Sequence, residues 1–202
     1  ERGVAALMVA NAPAAMAPWG GRRALFGTDP IAFAAPLSGA GPVVVDISLS
    51  KVARGKIMAA AQKGEPIPEG WALDPDGAPT TDANAAMAGT MIPLGDAKGT
   101  ALALMVELLC AGLTGANYGW QATSFFEDKG DPPGTGQAII AIDPDAFGPG
   151  GAERMALMAD MVAGTEGARL PGRRRQQIRA DYMENGIPVD ADLAQSIRAI
   201  GV

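Results

Sequence analysis

The sequence has 202 residues, of which 48% are hydrophobic, 19% are charged and 5% are aromatic, with a formal net charge of −6. This length can bury a full core, and the acidic balance argues against nucleic acid as a partner, because proteins that bind nucleic acid present a basic surface. The absence of histidine excludes His-ligated metal sites and Ser-His or Cys-His nucleophiles within these residues, and the single cysteine, Cys110, excludes an internal disulfide.

Short apolar runs between turn-forming connections predict the strands of a sheet. They span residues 4–11, 31–35, 43–47 and 137–144. The second and third runs are short and apolar, which is typical of strands that are covered on both faces. The Pro/Gly-rich loop after the first run has Trp19 as its one large hydrophobic side chain, and we expect Trp19 to anchor that loop.

Helical patterns follow the third strand and dominate the C-terminal part. Ser48 or Ser50 can cap a helix that ends at Gly64, and Asp82 can cap a shorter helix through Met87. Residues 114–136 have the composition of a loop. Further helical patterns span residues 100–113, 152–162, 173–183 and 191–200. The order of strands and helices predicts an α/β fold with long loops.

The longest apolar run, residues 100–113, predicts a helix at the centre of the core, because it is apolar on nearly every side. It is interrupted by Glu107 and is shorter than the roughly 20 residues that a membrane span requires, so we expect no membrane partner. Cys110 within it has the surroundings of a small buried hydrophobe, which suits a reducing compartment. We therefore expect a cytoplasmic protein.

Lys98 stands at the front of this apolar helix, where a cation is electrostatically unfavourable. Backbone N–H groups at a helix N-terminus are unsatisfied and carry partial positive charge. One interpretation is a lysine whose head group reaches water. The other is an anion site for phosphate or carboxylate, which the flanking Gly95 and Gly99 favour because they let a ligand approach the backbone.

Two other places combine polar residues with the start of a helix. In "VVVDISLSK", Asp46 and Ser48 follow a strand; they either cap the next helix or bind a nucleotide through its ribose and phosphate oxygens. In "RLPGRRRQQIR", three arginines from Arg173 begin a helix, as a solvated face or as an anion site. The runs "FGPGGAERM" and "DPDG" resemble a dinucleotide loop and a calcium loop, but both lack the required spacing and predict turns. No metal site is expected.

Six ordered blocks resemble the type 2 malate/L-lactate dehydrogenase family, which includes ureidoglycolate and sulfolactate dehydrogenases, diketogulonate reductase and cyclic-imine reductases. The blocks are "NAPAAMAPWGG", "FGTDPIAFAAP", "VVVDISLSKVARGKI", "GWALDPDGAPTTDA", "GDAKGTALALMVELL" and "IPVDADL". The resemblance implies an NAD(P)-dependent oxidoreductase that interconverts a 2-hydroxy acid and a 2-oxo acid. It also implies a non-Rossmann cofactor-binding fold with C-terminal helices, and a homodimer.

Residue by residue, the resemblance implies cofactor contacts at three places already singled out by charge. They are Asp46, Ile47, Ser48, Lys98, Gly172, Arg173 and Arg174. Relatives often have Asn-Ser in the first loop, so Ala12 implies a contact through the backbone alone. Asp46 near the ribose favours NAD, which we expect as cofactor, whereas the arginines favour the 2′-phosphate of NADP as the alternative.

Family members also extend upstream, where a histidine transfers the proton; we therefore expect residues 1–202 to be the cofactor-binding domain and C-terminal helices of a longer enzyme, with no catalytic residue of their own. Three alternatives remain open. The first is a cyclic-imine (piperideine or pyrroline carboxylate) reductase of the same family, and the second is a non-catalytic dinucleotide-binding fragment. The third is a Rossmann-type enzyme that binds its cofactor beside residues 148–151.

Overall fold

The computed structural model describes residues 3–127 and 129–200, and its centre is an antiparallel four-stranded sheet. The strands are β1 (Ala5–Ala10), β2 (Ile31–Leu37), β3 (Ala40–Ile47) and β7 (Gln137–Ile142). Their spatial order is β3-β2-β1-β7, with β1 hydrogen-bonded on both sides. All four predicted runs therefore form strands. β2 and β3 are joined by a tight hairpin turn at Ser38 and Gly39.

A second, smaller sheet contains three two-residue strands that the sequence did not predict, because periodicity cannot be seen over two residues. They are β4 (Ala72–Leu73), β5 (Pro79–Thr80) and β6 (Thr90–Met91). The turn between β4 and β5 is the "DPDG" run. The Gly77 N–H donates to the Asp74 carbonyl at 3.0 Å, which confirms the interpretation as a turn.

Six helices surround the sheets within residues 3–127 and 129–200. They are α1 (Arg54–Lys63), α2 (Ala83–Ala88), α3 (Ala97–Glu107), α4 (Gly151–Ala163), α5 (Arg173–Asn185) and α6 (Ala191–Ile200), with a π-helical turn, Leu108–Gly112, directly after α3. Gly64 ends α1 in the left-handed conformation, with φ of 67°, as predicted. Among the described residues, none of these helices has the length and hydropathy needed to cross a bilayer.

The core lies between the first sheet, α1, α2 and α3. Its largest fully buried apolar side chains are Met16, Leu49, Ile57, Met91 and Val106. Because aromatic residues are few, the core is assembled from aliphatic side chains and methionine, which fills irregular gaps.

Three expectations about burial were wrong. Trp19 is 54% exposed, and it is held by its backbone N–H, which donates to Thr100 Oγ1 at 2.8 Å. The strands β2 and β3 are not covered on both faces, since Phe33 and Ile47 are partly exposed. α3 buries only one side, and Leu104 on the other side is 49% exposed. The apolar pattern cannot tell a surface buried within these residues from one that a further chain segment covers.

The predicted serine cap of α1 was also wrong. The helix begins at Arg54 with Ala53 in the N-cap position, and no side chain caps it. The Ser50 hydroxyl instead donates to the Val52 carbonyl at 2.7 Å. The preceding segment is extended because the Lys51 N–H donates to the Ile92 carbonyl at 2.8 Å, which delays the start of the helix.

Candidate dinucleotide and substrate site

The segment that follows β3 lies beside the segment that leads into α3. The Leu94 N–H donates to the Leu49 carbonyl at 2.8 Å, and Ser50 pairs with Pro93 in an antiparallel bridge. Ser48 is half-buried and directly precedes the residues that make this contact. The residues on the other side of the contact precede the helix that carries Lys98. Two of the three predicted cofactor-contacting segments are thus neighbours.

The start of α5 packs on β3 and brings in the third predicted segment. Gly172 adopts φ of +80°, and a Cβ there would lie 2.8 Å from the Val44 carbonyl oxygen, so only glycine fits this approach. Arg175 Nη1 donates to Asp46 Oδ2 at 2.5 Å, and Gln176 Nε2 donates to the Pro42 carbonyl at 2.9 Å. The exposed ion pair positions the arginine-rich turn next to the end of β3.

Both helix starts at this place lack a side-chain cap and an acid in the first turn. The N-cap residues are Asp96 for α3 and Gly172 for α5, and neither makes a side-chain capping bond. Lys98, Arg173 and Arg174 are exposed, and within residues 3–127 and 129–200 their side chains have no hydrogen-bond partner. Unsatisfied N–H groups and cationic side chains together suit phosphate oxygens.

The "FGPGGAERM" run has the opposite character. The Gly151 N–H at the start of α4 donates to Asp145 Oδ1 at 2.8 Å, and Glu153 lies in the first turn. An acid therefore already occupies the position that a phosphate would take in a dinucleotide loop. This arrangement argues against the Rossmann-type alternative. The described part of the chain also contains no cluster of three potential metal ligands.

A cavity of about 490 Å³ lies on the other side of the Leu49 segment. Ala12 lines it, whereas Asp46, Ile47, Ser48, Lys98, Gly172, Arg173 and Arg174 do not. The cavity is connected to them through the backbone, because the Leu49 N–H donates to the carbonyl of Thr28, a lining residue, at 2.7 Å. One polypeptide segment thus separates the cavity from the open helix starts.

The cavity combines one cation with an aromatic wall. Arg54 Nη2 donates to the Met87 carbonyl at 3.2 Å, and burial lowers the pKa of Arg54, which still leaves it charged at neutral pH. Trp120, Phe125 and Phe126 form the wall. The Trp120 indole stacks on Tyr118 with a centroid distance of 4.5 Å and an interplanar angle of 5°. A small anion with a planar neighbour would fit such a site.

Two buried acids lie behind the cavity, and the sequence interpretation missed both of them. Asp29, 0% exposed, sits between the lining residues Thr28 and Pro30. Glu107, 1% exposed, accepts hydrogen bonds from two other lining residues, from Asn11 Nδ2 at 3.0 Å and from the Gly119 N–H at 3.1 Å. The signal for Glu107 was available, because it is the one charged residue inside a long apolar run.

Comparison with known proteins shows similarity along the whole chain. A model of the malate/L-lactate dehydrogenase family matches residues 1–198. The chain is 53% identical over 202 residues to a (2R)-3-sulfolactate dehydrogenase (NADP(+)) from Chromohalobacter salexigens, covering 100% of this chain and 60% of that protein. It is 43% identical over 189 residues to a Δ1-pyrroline-2-carboxylate reductase from Pseudomonas fluorescens, covering 92% and 56% respectively.

The structure is similar to that of a Δ1-piperideine-2-carboxylate reductase from Pseudomonas syringae, with a TM-score of 0.89 at 38% identity. The match covers 98% of this chain and 60% of that chain. The present chain thus spans about 60% of the length of the relatives that it matches.

Proposed function

The chain belongs to the malate/L-lactate dehydrogenase family, and on that premise we propose that it is the cofactor-binding part of an NAD(P)-dependent oxidoreductase. The reaction would interconvert a 2-hydroxy acid and a 2-oxo acid. The observation that carries the proposal is that two uncapped, cationic helix starts are each held near the end of β3, α5 by Gly172 and Arg175 and α3 by the contact of Leu94 with Leu49. The Leu49 segment in turn borders a cavity that contains an arginine. The cationic side chains that suit a dinucleotide therefore lie one chain segment away from Arg54, which suits a small acid.

The residues present fit a dinucleotide. Lys98 and the N–H groups of α3 would hold one phosphate-bearing part, and Arg173 and Arg174 at the start of α5 would hold the far end. Ser48 and the backbone of Ile47 would contact the sugar region, and Ala12 would contribute only backbone. A bound nicotinamide supplies or accepts the hydride. The chain's own residues orient it and bind its phosphates.

We propose NADP rather than NAD as the preferred cofactor, which revises the expectation from Asp46 alone. A ribose-binding carboxylate disfavours a 2′-phosphate by repulsion, but Asp46 is engaged by Arg175 at 2.5 Å. Arg173 and Arg174 are exposed at the same place. The sulfolactate dehydrogenase relative, whose name includes NADP(+), supports the same choice.

In the cavity, Arg54 would bind the substrate carboxylate and Thr28 would orient it, because both line the same space. Sulfolactate-like 2-hydroxy acids are the first candidate substrates, from the relative at 53% identity, and cyclic-imine carboxylates are the second, from the reductase at 43% identity. Both classes carry a carboxylate beside the carbon that takes the hydride. The aromatic wall with Trp120 supports the second class by offering a flat surface to a ring.

The proton-transfer group is proposed to lie in the part of the relatives that this sequence does not match, since the 202 residues contain no histidine. On this proposal residues 1–202 form the cofactor-binding domain and C-terminal helices of a longer enzyme. We also propose a cytoplasmic homodimer. Exposed apolar side chains on α3 and α4, such as Leu104 and Leu157, agree with a further covering surface.

Lys98→Ala in the full-length protein tests the proposal. We expect the dissociation constant for NADPH to rise about ten- to hundredfold, because a charge-assisted hydrogen bond is lost, with little change in thermal stability. Fluorescence titration measures the affinity. Lys63→Ala, at an exposed lysine in the last turn of α1, is the matched control and should bind as the wild type does. Unchanged titration of Lys98→Ala would contradict the assignment.

A screen of 2-oxo acids and cyclic imines with NADH and NADPH then identifies the substrate class. We expect turnover with at least one 2-oxo acid and a preference for NADPH. Turnover of the imines alone would favour the reductase alternative. Cofactor binding without turnover of any compound by the full-length protein would favour the non-catalytic alternative.

A further inference from the structure

The buried acids Asp29 and Glu107 form a carboxyl pair that no cation neutralises within the described residues. The one salt bridge of residues 3–127 and 129–200 joins Arg175 and Asp46 at the surface. Two buried carboxyl groups without a cation cannot both ionise at low cost. A pair of this kind behind a ligand cavity therefore requires an explanation.

Glu107 is the member of the pair whose hydrogen bonds favour the ionised form. Its carboxylate oxygens accept hydrogen bonds from Asn11 Nδ2 at 3.0 Å and from the Gly119 N–H at 3.1 and 3.2 Å. Burial raises the pKa of Glu107, while these donors oppose the increase because they stabilise the charged form. The same donors line the cavity, so the negative charge lies directly behind its wall.

Asp29 is the protonated member. Neither of its carboxyl oxygens has a hydrogen-bond partner among the described residues, and its backbone is held at φ of +39°, which is unusual for a residue other than glycine. Burial first, and repulsion from Glu107 second, raise the pKa of Asp29 to about 8, while backbone groups of Ala12, Asp29 and Gly27 lower it to a smaller extent. It therefore carries a proton at neutral pH and can lose it when the local potential becomes more positive.

Few charged groups face Asp29 from the elements packed around it. Glu107, at the end of α3, repels its charged form. Cys110, in the π-helical turn, has a thiol whose pKa is raised by burial, so it is neutral at pH 7. Arg54, across the cavity, is positioned for the anionic end of a substrate.

The two redox forms of a nicotinamide differ in charge at the ring: the oxidised ring is a cation and the reduced ring is neutral. A cation in the cavity would be attracted by Glu107 and would stabilise an ionised Asp29, whereas a neutral ring would do neither. Thr28 and Pro30, the chain neighbours of Asp29, line the cavity, and so do Asn11 and Gly119, the donors to Glu107.

We propose that the Asp29–Glu107 pair recognises the cationic, oxidised nicotinamide ring, and that binding of the oxidised cofactor releases the Asp29 proton. This inference rests on the proposed function, because it needs the nicotinamide in this cavity. In the step, the Asp29 O–H bond breaks and the proton passes to the buffer, while the cofactor is unchanged. Asp29 and Glu107 are positioning residues that act through the electrostatic potential of the cavity.

Isothermal titration calorimetry of the full-length protein at pH 7, in phosphate and in Tris, measures the protons released on binding. We expect NADP+ to release a substantial fraction of one proton more than NADPH. Asp29→Asn should abolish this difference, because the amide resembles the neutral acid but cannot ionise. Asp76→Asn, at an exposed acid in the β4–β5 turn, is the matched control and should release protons as the wild type does.

Glu107→Gln provides an independent measurement if Asp29→Asn fails to fold. It keeps the shape of the side chain and removes the charge, so the affinity for NADP+ should fall about tenfold relative to that for NADPH. Equal proton release by the two cofactors in the wild-type protein would overturn the inference while leaving the proposed function intact. Failure of both cofactors to bind would instead overturn the proposed function.

Discussion

The helices of this chain begin in two different ways. At α2, Asp82 Oδ1 accepts hydrogen bonds from the N–H groups of Asn84 and Ala85 at 2.7 and 3.0 Å, and at α4 the Gly151 N–H is bound by Asp145. At α3 and α5 no side chain caps the helix, and the first turns carry Lys98 and the arginines from Arg173 onward.

This difference separates helix starts whose N–H groups donate to a capping side chain of the described residues from those, including α1, that no such side chain caps. An acid at the N-terminus stabilises the helix by itself, whereas a cation there is unfavourable until an anion arrives. Glycine content does not make the distinction, since a glycine occupies the N-cap of both α4 and α5. The distinction lies in the charge of the side chains in the first helical turn, which is negative in α4 at Glu153 and positive in α3 and α5.

The largest effect is expected on the free energy of unfolding, from Asp29. Within the described residues this acid caps no helix and forms no salt bridge. The pKa of Asp29 is about 8 in the fold, against an ordinary value of 3.8, so the folded state keeps a proton that the unfolded state loses. The stabilisation is complete below about pH 4 and is lost as the pH rises through 8, by up to about 1.4 kcal/mol per pH unit.

Asp29→Asn should remove that dependence. Between pH 5 and pH 8 the free energy of unfolding of the wild type should fall by up to about 4 kcal/mol more than that of the variant. Urea denaturation at both pH values measures it. Parallel pH profiles of the two proteins would show that Asp29 is ionised in the native state.

The next effect sharpens the comparison at α5. Removing Arg173 and Arg174 together should weaken NADPH binding about tenfold and NADH binding much less, because on the proposed function the lost charges face the 2′-phosphate. Titration with both cofactors measures this difference. Arg179→Ala, farther along the same helix, is the control for removal of an exposed arginine. An equal loss for NADH and NADPH would place these arginines elsewhere on the cofactor.

The smallest effects are expected at the capped helices. Asp82→Ala and Asp145→Ala should each lower the free energy of unfolding by about 1 kcal/mol, because N–H groups lose their acceptor. Neither should change cofactor affinity, which is the reverse of the result expected for Lys98→Ala. Weaker cofactor binding by Asp145→Ala would revive the dinucleotide loop beside residues 148–151.

Much of the fold could be predicted from local signals. The four apolar runs became strands, Gly64 ended α1, and Asp82 capped α2, since each depends on a few neighbouring residues. The start of α1 could not be predicted from Ser48 and Ser50, because the contact with residues 92–94 keeps that segment extended. Tertiary pairing there overrides the capping preference.

The candidate site divides in the same way. The unfavourable position of Lys98 and of the arginines is visible in the sequence, and those assignments remain predictions. The cavity was not foreseen, because Thr28, Arg54 and Trp120 come from distant segments that only the fold brings together. The proximity of Asp29 and Glu107 could not be predicted for the same reason, because 78 positions of sequence separate them and only Glu107 is conspicuous by itself.

Leu49, fully buried, accepts a hydrogen bond from the α3 side through its carbonyl and donates one to the cavity side through its N–H. The two peptide groups that flank Leu49 therefore connect Thr28 to Leu94 through one hydrogen bond each. A ligand that moves the Leu49 segment would strain both of these hydrogen bonds. Occupancy at the two ends should then be thermodynamically linked, and substitutions at Thr28 and Lys98 should combine non-additively in a double-mutant cycle.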